Sequence, residues 1–160
     1  MNDKAYFASG CFWGTEYHFM RLPNVTTLVG YMGGHSMTPP TYREVCMGDT
    51  GYIETIEVIY DNEQISYETL VKLFFETHDF TQMNGQGPDI GSQYVSVIFY
   101  CNEEQQKIAT HYIKLLTSKR YKVATQLRKA EEFWEAEAYH QAYYAKKGGT
   151  PYCHTYKKIL

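Results

Sequence analysis

Tyr52-Ile53-Glu54-Thr55-Ile56-Glu57-Val58-Ile59-Tyr60 is the stretch on which the fold of this chain turns. Its β-branched and aromatic residues read as a strand. Period-two alternation puts Glu54, Ile56, Val58 and Tyr60 on one face, so Glu54 shares a face with apolar side chains at the strand's entry. A carboxylate in that place is either solvated at the strand end or half-buried, with a raised pKa.

Outward from this strand, the pattern alternates between strand and helix. Upstream, Ala5 to Ala8 is a short apolar strand, Thr15 to Arg21 opens a helix that Pro23 stops, and Val25 to Tyr31 is a second strand. Downstream, Ser66 caps a helix from Tyr67 to His78, with Leu70, Val71, Phe74 and Phe75 as its buried stripe. Asp79 to Ser92 is a long loop carrying Gly85, Gly87, Pro88 and Gly91, and loops of that length in compact domains are usually functional. Tyr94 to Tyr100 alternates as a strand. Asn102 with Gln105 forms a capping box for a helix to about Ser118, with Ile108, Tyr112 and Leu115 facing inward. Val123 to Leu127 reads as a last strand, and Glu131 to Lys147 as helix-rich until Gly148-Gly149-Thr150-Pro151 breaks it. This order defines an α/β protein, a two-layer sandwich on a mixed sheet with a ferredoxin-like βαβ core and an irregular C-terminal tail. One catalytic domain over residues 1–160 is expected, the tail being 148–160.

Composition narrows the function. The net charge of −3 gives no electrostatic case for nucleic acid or an anionic membrane. No apolar run approaches a membrane span and no leader pattern opens the chain, so a soluble cytoplasmic protein is expected. Four cysteines, none in a C-x-x-C pair, do not make a disulfide scaffold, and the six histidines show no metal spacing. No metal and no cofactor is therefore expected.

The chemistry gathers at Gly10-Cys11-Phe12-Trp13-Gly14, between the first strand and the first helix. A cysteine there meets unpaired backbone N–H groups and the positive end of the helix dipole, which favour a thiolate. The flanking glycines allow a tight turn and close approach of a substrate. Phe12 and Trp13 suit the wall of a small apolar pocket; equally, a cysteine beside two aromatics is common core filling.

The pentapeptide resembles the active-site signature of the peptide methionine sulfoxide reductase A family. The likeness continues through Thr41-Tyr42-Arg43-Glu44-Val45-Cys46, Gly48-Asp49-Thr50-Gly51 with Glu54, His78-Asp79, Gln86-Gly87, Asp89 with Gly91-Ser92-Gln93-Tyr94, and Ala136-Glu137 with Tyr139-His140-Gln141. It covers Tyr6 to Cys153, in the family's order. The resemblance implies reduction of the S epimer of methionine sulfoxide, free or in proteins, and hence repair of oxidised proteins.

That reaction asks for a thiolate, a proton donor, hydrogen bonds to the S–O group and a niche for the methyl. Cys11 suits the nucleophile, Glu54 the general acid, and the phenols of Tyr42 and Tyr94 a clamp on the oxygen. The resemblance assigns Phe12 and Trp13 to the methyl group and Asp89 to the pocket rim. Oxygen transfer leaves Cys11 as a sulfenic acid, which condenses with a nearby thiol. Cys153, beyond the mobile Gly148-Gly149 stretch, is the candidate, with a thioredoxin-like dithiol as the reductant. Cys46 and Cys101 are read as idle thiols. Two rivals stand beside this reading: a cysteine hydrolase pairing Cys11 with His35, His140 or His154, and a binder of oxidised methionine without catalysis.

Overall fold

The computed structural model describes residues 2–35, 38–151 and 154–160. Strand β1 (Asn2–Ser9) is followed by helix α1 (Phe12–Phe19), β2 (Val25–Met32), the short α2 (Tyr42–Cys46), β3 (Ile53–Asp61) and α3 (Tyr67–Glu76). A small hairpin, β4 (Gly85–Gln86) and β5 (Asp89–Ile90), precedes β6 (Ser96–Tyr100), the long α4 (Glu103–Ser118), β7 (Gln126–Lys129), β8 (Trp134–Glu135) and α5 (Tyr143–Lys147). Six strands form one sheet in the order β7-β6-β1-β3-β2-β8. Every pairing is antiparallel except β6 with β7, so the sheet is mixed.

Alternation along the strands builds two apolar layers. Ala5 and Phe7 of β1, Val29 and Tyr31 of β2, Ile56, Val58 and Tyr60 of β3, and Ile98 of β6 face the helices and join Phe19, Leu70, Phe74 and Leu116 in the main core. The opposite residues, Tyr6, Ala8, Met32, Ile53, Val97 and Phe99, form a second cluster closed by Phe133 and Ala130. Phe7 alone stacks on Phe19, Tyr67 and Phe74 with ring centroids 5.1 to 6.0 Å apart, which ties β1 to two helices. Truncating such a side chain typically costs 3–5 kcal/mol.

The helix starts follow local chemistry. Ser66 Oγ accepts from Thr69 N at 3.2 Å to cap α3, and Asn102 Oδ1 accepts from Gln105 N at 2.9 Å to cap α4. The expected reciprocal half of the α4 box is replaced: Gln105 Oε1 accepts from Cys101 N, and its amide donates to Lys4 O, so the side chain ties the helix to β1 instead. On the buried face of α4, Tyr112 is joined by Ala109 and Leu116, whereas Ile108 and Leu115 lie at the margin.

Three expectations need correction. Glu131 to Lys147 is not a helical stretch: it holds β8, a 3₁₀ turn at Ala138–His140 and only five residues of α5. Strand β8 forms because the free edge of β2 needs partners. Gly30 and Tyr31 take Glu135 and Trp134, while Val29 N and O are both bonded to the Gln141 side-chain amide at 2.9 Å. Nor is the Asp79–Ser92 loop structureless. Glutamine amides stand in for backbone within it: Gln86 bonds Asp79 N and O at 2.6 and 2.8 Å, and Gln82 bonds Gly87 N and O. The last core strand lies at Gln126–Lys129, three residues later than its composition suggests.

Candidate active site

Antiparallel pairing brings the two ends of the chemistry together. Phe7 of β1 faces Ile56 of β3, so the turn leaving β1 lies beside the entry of β3. Cys11 follows the first end and Glu54 opens the second. Phe12 N donates to Glu54 Oε1 at 3.1 Å, joining the first residue of α1 to the strand.

Glu54 is 1% exposed. Its other oxygen, Oε2, is buried and has no hydrogen-bond partner among the described residues. Burial, with some help from the charge of Asp89, raises its pKa to about 8 against the pull of the Phe12 N–H. At neutral pH the carboxyl is therefore mainly protonated and has one oxygen free to deal with a ligand.

Cys11 is half-buried at the N-cap of α1 and is a free thiol. The expectation of a lowered thiol pKa is reversed. Burial first, then the charge of Glu54, pushes the thiol well above the ordinary range, and the N–H groups of Trp13 and Gly14 only partly oppose them. The helix terminus acts in the expected direction but is outweighed. A thiolate here becomes easier once Glu54 holds its proton.

The aromatics sit as a box. The Phe12 ring lies 5.7 Å from Tyr31, 6.4 Å from Tyr42 and 5.2 Å from His140. Trp13 stacks flat on Tyr143 at 3.8 Å, and its indole N–H donates to His140 Nδ1 at 3.0 Å. Tyr42 opens α2, whose capping box pairs Thr41 Oγ1 with Glu44 N and Glu44 Oε1 with Thr41 N. Tyr94 ends a 3₁₀ turn at Ser92–Tyr94, and Asp89 lies on β5. Burial first, then the negative charge of the same cluster, raises both phenols, so each remains a hydrogen-bond donor. Glu54, Asp89 and Tyr94 are electrostatic neighbours of Cys11, and Tyr42 of Glu54 and Tyr94, so these candidates from sequence lie in one cluster; Cys153 is outside the described residues.

Other residues of the site carried little signal. Cys46, read as idle, lies near enough to the Tyr42 phenol to raise the phenol's pKa and to be pulled down by it in turn, against the larger lift of burial. Glu137 holds Tyr31 OH and Tyr42 N at 2.9 Å each and so fixes the aromatic box to the sheet. Glu16, buried in α1, accepts from Thr27 Oγ1 and Ala142 N at 2.8 Å, pinning the C-terminal segment to the helix. Glu137, His140 and Gln141 fall within a motif of the resemblance, which gave them no role; a glutamate such as Glu16 in a short helix gives no sign of burial.

None of the three histidines of the hydrolase rival is hydrogen-bonded to Cys11 among the described residues. His35 is exposed. His140 Nδ1 accepts from the Trp13 indole and His154 Nε2 lies 2.6 Å from the carbonyl of Ser9, while the second nitrogen of each ring is buried without a partner among the described residues. Among the described residues no group of three or more His, Cys, Asp or Glu is gathered to hold a metal, and no helix is long and apolar enough to cross a membrane.

The family model for peptide methionine sulfoxide reductase matches residues 3–159. A relative named peptide methionine sulfoxide reductase MsrA, from Acinetobacter baumannii, is 45% identical over 152 residues, covering 94% of this chain and 87% of that protein. Methionine sulfoxide reductase A of Corynebacterium diphtheriae superposes with a TM-score of 0.80 at 36% identity, covering 94% of this chain and 78% of that one. Reduced Mxr1 from Saccharomyces cerevisiae gives a TM-score of 0.89 at 32% identity, covering 98% and 92%. In its complex with Trx2 the same yeast protein retains a likeness of fold, at TM-score 0.64 and 22% identity over 98% and 90% of the two chains. The chain belongs to the peptide methionine sulfoxide reductase family and is an oxidoreductase of the MsrA type.

Proposed function

We propose that this enzyme repairs oxidised methionine by taking the oxygen of the S epimer of its sulfoxide, free or in proteins, onto Cys11. The observation that carries this reading is the Glu54 carboxyl: buried, held by Phe12 N–H through one oxygen, and with the other oxygen free beside the thiol turn. In the first step the Cys11 sulfur attacks the sulfoxide sulfur as Glu54 gives its proton to the oxygen and its carboxylate takes up the thiol proton. The S–O bond of the substrate is lost, methionine leaves, and Cys11 becomes a sulfenic acid. Tyr42 and Tyr94 donate to the departing oxygen, Tyr42 turning away from Cys46 to do so. Phe12 and Trp13 take the methyl group, and Asp89 stands at the rim.

In the second step the Cys153 thiol attacks the sulfenic sulfur, a disulfide forms, and the oxygen leaves as water. A thioredoxin-like dithiol then returns both thiols, as the yeast complex suggests by analogy. The three free cysteines among the described residues suit the reducing cytoplasm. The βαββαβ run of β1, α1, β2, β3, α3 and β6, with spatial order β6-β1-β3-β2, supports a ferredoxin-like reading of the core.

The deciding assay offers the separate S and R epimers of free methionine sulfoxide with dithiothreitol to wild type and Cys11→Ser. Methionine from the S epimer alone, and none from a folded Cys11→Ser protein, is expected. Turnover by Cys11→Ser would refute the mechanism. Cys153→Ser should still yield one equivalent of methionine, stall with thioredoxin, and turn over with dithiothreitol. A peptide linking Cys11 to Cys46 or Cys101 after one oxidising turnover would reassign the recycling thiol.

A further inference from the structure

Glu76, the last residue of α3, is only 6% exposed, yet it faces no substrate. Its Oε2 accepts the N–H of Ile159 at 2.7 Å and of Leu160 at 2.9 Å. Its Oε1 accepts from Tyr156 OH at 3.3 Å, and its backbone carbonyl accepts from Lys157 N at 2.7 Å. Four bonds from one residue thus hold the chain that follows Cys153. Thr155 to Lys158 are exposed and Thr155, Lys157 and Ile159 line a cleft of about 460 Å³, while Ile159 and Leu160 also pack in part against the main core.

The rest of the tail explains what such a clasp can do. Gly148 and Gly149 both have left-handed φ, 79° and 85°, with open space where a side chain would stand. His154, the residue after Cys153, is seated at the catalytic turn. Its ring lies against Gly14, Nε2 meets the carbonyl of Ser9, and its own carbonyl meets His18 Nε2 at 2.6 Å. The described residues of the tail thus form a strap, with two glycines upstream, His154 seated at the turn that carries Cys11, and the Glu76 clasp downstream.

We propose that Glu76 is a positioning residue for the recycling step, holding the strap so that the Cys153 thiol is presented to the Cys11 sulfenic acid at high effective concentration; this rests on the recycling reading above. Fixing both ends of a short segment confines the group it carries, and releasing one end dilutes it. Glu76 takes no part in the first step, since Cys11 and Glu54 are positioned by β1, α1 and β3.

The test separates the two steps in the full-length protein. Methionine released in a single turnover reports the first, and quenched-flow mass analysis of the Cys11–Cys153 link reports the second. Glu76→Ala should leave the first step within about twofold of wild type and slow the link by roughly tenfold or more, and Glu76→Gln, which keeps an acceptor for the two amides, should restore much of the link rate. Thioredoxin-driven turnover should fall while dithiothreitol-driven turnover holds. Removing Ile159 and Leu160 takes away the two amide donors together with their apolar contacts and should reproduce this split, whereas the double variant Ile159→Ala, Leu160→Ala keeps the donors and should not; this pair decides the matter if the Glu76 variants fold poorly. Link formation at the wild-type rate, or an equal fall in both steps, would overturn the proposal. A wild type that forms no Cys11–Cys153 link overturns the recycling reading itself, and shows this before any variant is made.

Discussion

Glu54 Oε1 accepts the backbone N–H of Phe12 at 3.1 Å, so the strand that carries the candidate acid is bonded directly to the helix that carries the nucleophile. Acid and thiol therefore keep a fixed relation through the two most deeply packed elements of the site. That bond occupies one oxygen of the carboxyl and leaves the other for the substrate.

Replacing the acid tests this division. Glu54→Gln keeps an acceptor for Phe12 N–H but has no proton to give, and it should slow single-turnover methionine release by roughly 10²–10⁴-fold, the usual worth of general acid catalysis. A rate within a few-fold of wild type would mean that another group delivers the proton.

The same variant should change the thiol. The Glu54 charge is among the causes that raise the Cys11 pKa, so removing it lowers that pKa. The pH profile of Cys11 alkylation, followed by mass, should shift to lower pH in Glu54→Gln. An unchanged profile would show that burial alone controls the thiol.

Stability should respond to pH in opposite directions on the two sides of neutrality. Glu54 is raised from 4.5 to about 8 by burial, so its contribution is complete below about 4.5 and is lost as pH rises through about 8. His154 is lowered from 6.5 to about 4 by burial, so its contribution is complete above about 6.5 and is lost as pH falls through about 4. Thermal melts across pH should show both declines, with Glu54→Gln removing part of the alkaline one and His154→Gln part of the acid one.

In the proposed mechanism the two phenols share one task. Tyr42→Phe and Tyr94→Phe should each slow the first step less than Glu54→Gln does, because the other phenol remains, and the double variant should be worse than either. Equal rates for single and double variants would show that only one phenol touches the oxygen.

Gly14 offers a packing test. A Cβ there would fall on the His154 ring, although the backbone is ordinary helix. Overpacking of this kind typically costs 1–3 kcal/mol, more than the gain of about 1 kcal/mol in helix propensity, so Gly14→Ala should lower Tm. A raised Tm would show that the tail leaves the turn readily.

The glycines flanking Cys11 show how far sequence carries. They signal a close approach, and the approach is real, but its partners are the side chains of His154 and Gln86. The period-two phase of Tyr52–Tyr60 places Glu54 on the core face, as burial bears out. Local pattern reaches that far because strand alternation is a property of consecutive residues. Glu76, Glu137 and Gln141 could not be read the same way: each is polar, each lies in an ordinary setting, and each is held by a partner between about 80 and 112 residues away. The direction of the Cys11 shift escaped for a related reason, since the helix terminus is local whereas burial and the Glu54 charge come from the assembled fold.

Gln141 completes the edge of β2 with a side chain where a strand would otherwise sit. Its neighbour His140 receives the Trp13 indole, so sheet edge and substrate wall are held by adjacent residues. The amide proton of Val29, far from the reacting atoms in sequence, thereby becomes a reporter of the wall's integrity: its exchange with solvent reads the opening of the 138–143 segment as one cooperative unit.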